Sequence, residues 1–95
     1  MYRRAILRSI EEVWNLLRTL EGEEFHTKTG KPFTFSVSGD VLRVSRTEYN
    51  LSKGNFAKGL AIVPIEGPGT VQSLVRGPSY VWAILHDARV RKSEW

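Results

Sequence analysis

At 95 residues the chain has room for a single hydrophobic core and not for two. Apolar residues make up 41% and charged residues 25%, an ordinary globular composition, and the absence of cysteine excludes disulfide scaffolds, thiolate zinc sites and thiol catalysis. The net charge is +4, and the whole excess falls in residues 26–60, where Lys28, Lys31, Arg43, Arg46, Lys53 and Lys58 stand against Asp40 and Glu48.

The first segment has the period of an amphipathic helix, with Ile6, Ile10, Val13, Leu17 and Leu20 recurring at three and four and Leu16 widening the stripe. Ser9 and Glu12 fit a capping box. The helix therefore starts either near Tyr2 or at Ser9, and the unbroken apolar phase through Ile6 favours the longer form. Gly22 supplies a stop, and Arg18 near the last turn suits the helix dipole. Residues 23–32 read as a loop punctuated by Gly30 and Pro32, with Phe25 as its anchor to the core.

A β-hairpin follows. Phe33–Ser38 alternates strictly, Gly39-Asp40 makes a two-residue turn, and Val41–Arg46 returns. That turn sets Ser38 against Val41, Val37 against Leu42, Ser36 against Arg43, Phe35 against Val44 and Thr34 against Ser45. Phe35, Val37, Leu42 and Val44 then share one face, and Thr34, Ser36, Arg43 and Ser45 the other. Ser52 caps a second helix, with Leu51 and Phe56 as its hydrophobic staple and Pro64 as its end. Thr70–Val75 reads as a short helix in preference to a strand. Ser79 is placed as the cap of a last helix, Tyr80–Ala88, with Val81, Ile84, Leu85 and Ala88 inward. Residues 89–95 read as a flexible tail.

The expected fold is α+β in one domain, 1–95: an N-terminal helix, a central antiparallel hairpin as a small sheet, and two to three C-terminal helices packed on one face. The expected core includes Ile10, Val13, Leu17, Leu20, Phe35, Val37, Leu42, Val44, Phe56, Leu60, Ile84 and Leu85.

Few residues suggest catalysis. His26 and His86 are the only imidazoles, and the neighbours His86 and Asp87 diverge on a helix. His86 reads as a surface histidine whose charge suits a helix C-terminus. The carboxylates fall on a helix's solvent side, in loops and in a turn, so no magnesium nuclease is indicated. Thr29-Gly30-Lys31 lacks the first glycine of a phosphate loop. No cofactor, metal or membrane partner is expected, and with no secretory signal or spanning segment a cytoplasmic location is the default.

The hairpin's polar face remains. Thr34, Ser36, Arg43 and Ser45, continued by Arg46 and by Lys53 at the start of the second helix, combine hydroxyls with cations suited to phosphates and base edges. Lys28 and Lys31 on the preceding loop add phosphate contacts. The aromatics are scattered, which favours duplex DNA over single strands. The expected function is a non-enzymatic DNA-binding module. The alternative is a protein-interaction or oligomerisation domain presenting Trp14, Tyr80 or Trp82.

Overall fold

The structure, a computed structural model, describes residues 8–95 and has the expected α+β class. Helix α1 (Ile10–Thr19) starts at Ser9, whose hydroxyl accepts the Glu12 amide at 3.1 Å while the Glu12 carboxylate accepts the Ser9 amide at 2.9 Å. Ser9 itself is extended, so the helix is the shorter of the two forms, and the Ile6 end of the stripe lies outside the described residues. The capping box decides the start because it satisfies two amides that a continuous helix would pair with carbonyls.

The loop expected over 23–32 contains a small sheet. Strand β1 (Phe25–His26) pairs antiparallel with β2 (Pro32–Phe33), and Phe25 is the buried anchor. A second sheet, in the order β3-β4-β5, holds the hairpin: β3 (Phe35–Ser38), β4 (Val41–Val44) and β5 (Asn50–Ser52). The β3–β4 register matches the one set by the two-residue turn, with Phe35 opposite Val44 and Ser38 opposite Val41. The Ser45 amide donates to the Thr34 carbonyl at 2.9 Å and extends the ladder by the fifth expected pair. Strand β5 is new, setting Leu51 beside Leu42 on the core face.

Ser52 ends β5 and caps helix α2 (Lys53–Leu60), its hydroxyl accepting the Asn55 amide at 3.1 Å. Both staple residues, Leu51 and Phe56, are fully buried. Gly59 lets α2 approach its neighbour, because a Cβ there would lie 3.0 Å from Val81 and Leu85. A short 3-10 turn (Pro68–Val71) precedes helix α3 (Pro78–Leu85). Ser79 does not cap α3. Gly77 does, in the left-handed region at φ 59°, and Pro78 at the first helical position needs no partner for a missing amide. Ala88 is exposed because α3 ends at Leu85, and helix α4 (Ala88–Arg91) begins a new direction from the N-cap Asp87.

The segment 89–95, expected as a tail, carries part of α4, with Val90 buried and the Trp95 ring N–H donating to the Leu85 carbonyl at 2.8 Å. Arg89 fastens this end. Its guanidinium lies 4.0 Å from the Phe25 ring centroid, binds both Asp87 oxygens and donates to the Glu24 carbonyl at 2.8 Å. Burial alone would raise the Asp87 carboxyl, but the Arg89 hydrogen bonds and charge outweigh it and hold the group below its ordinary value.

The aromatic residues offered as an exposed interface are committed inward. Trp14 is 1% exposed and stacks obliquely on Phe56 at 5.6 Å. Tyr80 meets Phe33 edge-on at 5.1 Å, and the half-buried Trp82 donates its ring N–H to the Ile65 carbonyl at 2.8 Å. The polar edge of Trp14 is satisfied as well, its ring N–H donating to the Gly39 carbonyl in the hairpin turn.

Candidate nucleic-acid interface

Alternation along β3, β4 and β5 sorts the sheet into two faces. Phe35, Leu42, Val44 and Leu51 go to the core, while Thr34 and Ser36, then Arg43 and Ser45, then Asn50 and Ser52 face outward. Among the described residues no helix covers this outer side: Ser36, Ser38, Arg43, Ser45 and Asn50 are all exposed. Arg43 lies at its middle, on the central strand, opposite Ser36 on one flank and Asn50 on the other. Among the described residues no carboxylate forms an ion pair with it.

The face is hollowed. A shallow, open depression of about 650 Å³ is lined by Glu21, Thr34, Ser36, Arg43, Ser45 and Thr47, with Gly22, Phe35 and Val44 between them. A second, of about 340 Å³, continues it past Ser36 and Arg43 to Ser38, Val41 and Asn50. Two features were not legible beforehand. Asn50 arrives with β5, a strand of three residues that is too short to show a period. Glu21 comes from the turn after α1: its carboxylate accepts the Val37 amide at 2.7 Å, and the Gly22 amide donates to the Phe35 carbonyl at 3.1 Å. Together they close the free edge of β3 and set one negative charge at the end of the groove.

The eight expected contact residues do not form one patch. Thr34, Ser36, Arg43 and Ser45 converge as expected, although the Ser45 hydroxyl is already accepting the Thr34 amide at 3.0 Å. Arg46 follows, exposed, in the β4–β5 connection. Lys53 turns away and pairs with Glu11 on α1. Lys28 and Lys31 line a separate notch against the start of α3. Lysine side chains follow the nearest acid or π-face, which strand alternation does not reveal.

Among the described residues no three histidine or carboxylate side chains gather as metal ligands, and no helix is long and apolar enough to cross a membrane. No protein-family model, curated protein or solved structure matches the chain.

His86 departs from its expected role as a charged cap of the helix end. It stacks on Trp82 at 5.3 Å, and its Nε2 accepts the Ile65 amide at 2.9 Å, which leaves the proton on Nδ1, 3.2 Å from the Trp82 carbonyl. Burial first, and then the charge of Arg91, lower its pKa from 6.5 despite the Trp82 carbonyl. A histidine lowered in this way stabilises the fold fully above pH 6.5, and that contribution is lost as pH falls from 6.5 through the folded value. Urea unfolding is therefore expected to show a lower midpoint at pH 5.5 than at 7.5. His86→Gln should flatten the difference, and an equally steep fall in that variant would remove His86 as the cause.

Proposed function

We propose that this chain is a duplex-DNA-binding module, without a catalytic step of its own, that lays the outer face of the β3-β4-β5 sheet against the major groove. The cross-strand pair of Arg43 and Asn50 carries the reading. Arginine is matched to the O6/N7 edge of guanine and asparagine to the N6/N7 edge of adenine, so two adjacent exposed side chains present the two commonest base-reading chemistries. Three strands at about 4.8 Å spacing span roughly 10 Å between the outer strands, comparable with a major groove about 12 Å wide. Ser36, Thr34 and Arg46 then flank the pair as phosphate donors. Glu21 repels phosphate at one end, which orients the duplex toward the Arg46 side.

The test is binding to random and selected duplexes across a salt series. Arg43→Ala with Arg46→Ala should weaken binding and flatten the salt slope by about one per lost phosphate contact. Asn50→Ala should relax sequence preference at one base while keeping that slope. Because both arginines are exposed, the thermal midpoint should scarcely move, as exposed substitutions are usually within about 0.5 kcal/mol. An arginine double variant that binds duplex as wild type does, with the same slope, sinks the reading.

A further inference from the structure

The loop between β1 and β2 closes on itself. The Thr27 amide donates to the Lys31 carbonyl at 3.0 Å, the Gly30 amide to the Thr27 carbonyl at 2.8 Å, and the Lys31 amide to the Thr27 hydroxyl at 3.0 Å. Against the first turn of α3 this loop bounds a notch of about 210 Å³. Thr27, Lys28, Thr29 and Lys31 line it from the loop, and Pro68, Ser79 and Tyr80 line it from the 3-10 turn and α3. The volume equals that of about seven waters, enough for a tetrahedral oxyanion with part of its hydration shell.

Its chemistry is one-sided. Two lysines, two threonines, a serine and a tyrosine line it beside Pro68, and no carboxylate does, whereas the sheet face includes Glu21. The Lys28 ammonium rests 3.5 Å from the Glu66 carbonyl and 5.8 Å from the Trp82 ring centroid, and no carboxylate among the described residues forms an ion pair with it. Lys31 is exposed and ion-paired to nothing among the described residues. No side chain caps α3, and Pro78 has no amide, so the Ser79 N–H, at N2, has no intrahelical acceptor.

We infer that this notch is a phosphate-binding site. Lys31 and Lys28 supply the charge, Thr29 and Ser79 donate hydroxyl hydrogen bonds, and the Ser79 amide adds a backbone donor. The site is separate from the sheet face and does not depend on the sheet's binding DNA.

Amide chemical shifts of the full chain, titrated with inorganic phosphate against sodium chloride of equal ionic strength, test it. Saturable shifts are expected at Thr29, Lys31, Ser79 and Tyr80 with phosphate alone. Lys31→Gln, exposed and bonded only through its backbone, keeps the fold and should weaken phosphate about five-fold, as for one lost exposed ion pair. Arg43→Ala should leave this titration unchanged. A short duplex identifies the source of the phosphate: movement of the same amides, weakened by Lys31→Gln, assigns the site to a nucleic-acid backbone. Amides that respond to inorganic phosphate and not to duplex assign it to a free phosphate or phosphomonoester. Shifts that match those of chloride, or a Lys31→Gln variant that titrates as wild type does, overturn the proposal.

Discussion

Trp14→Ala is expected to cost about 3–5 kcal/mol, a large fraction of the roughly 5–15 kcal/mol that keeps an ordinary domain folded. Trp14 is the largest fully buried side chain among the described residues, and it links α1 both to α2 and to the hairpin. Its ring packs on Phe56 of α2, while its N–H donates to the Gly39 carbonyl at 2.8 Å, at the tip of the hairpin. Arg18, one turn later on α1, donates to the same carbonyl at 3.1 Å. Gly39 adopts φ 59°, so the turn that fixes the sheet register is also the point at which the sheet is bolted to α1. Because the alanine variant also opens a large cavity, Trp14→Phe gives the sharper measurement of the hydrogen bond. It keeps most of the buried ring and loses the hydrogen bond, and should lower stability by about 1–2 kcal/mol in urea. Hydrogen exchange should speed up first in the amides around Gly39 and Asp40. A phenylalanine variant within about 0.3 kcal/mol of wild type would mean the bond to the turn is replaced by water at no cost.

The hairpin was readable because two independent signals, alternation and turn length, require the same register, and a slip by one residue would have exposed Phe35 and Leu42. The caps at Ser9 and Ser52 were readable for a similar reason, since a hydroxyl, a spacing and an apolar partner agree. What escaped was whatever depends on contacts distant in sequence. Strands β1, β2 and β5 hold only two or three residues each, and they exist because a neighbour supplies the ladder. Ser79 looked like a cap, but the positive φ available to Gly77 started α3 earlier. For the candidate site, alternation located the hydroxyls and Arg43. Sequence proximity alone groups the lysines, and in three dimensions they divide between Glu11, the Trp82 ring and the notch at α3. Charge clustered along a chain is a poor guide to charge clustered on a surface when the stretch contains a turn.

Asn55→Ala is expected to destabilise the fold by about 2–4 kcal/mol, although nothing in the periodicity of α2 marks the position. Asn55 is 8% exposed and is the one buried polar side chain among the described residues. Its Nδ2 donates to the Arg76 carbonyl at 2.8 Å, and its Oδ1 accepts the Arg76 amide at 2.8 Å. The amide side chain thus takes the place of a strand, pairing both backbone groups of a residue that no sheet reaches. Truncation leaves that donor and acceptor unpaired, at about 1–3 kcal/mol each, less whatever water recovers at the exposed Arg76 side. The consequence extends along the chain. Arg76 precedes Gly77, where a Cβ would meet Leu51 at 3.1 Å and the Tyr49 hydroxyl at 3.3 Å, so the pin at Arg76 positions both the start of α3 and the back of β5. Hydrogen exchange separates the two contributions: the Arg76 amide should lose protection in Asn55→Ala even under conditions where the β3–β4 ladder keeps its own. If Arg76 stays protected, the link between α2 and α3 rests on apolar contacts at Gly59 and Val81, and Gly59→Val becomes the more damaging substitution. If protection is lost, one amide side chain holds the strand that carries Asn50 against the helix that walls the phosphate notch, and both candidate contact surfaces share a single mechanical support.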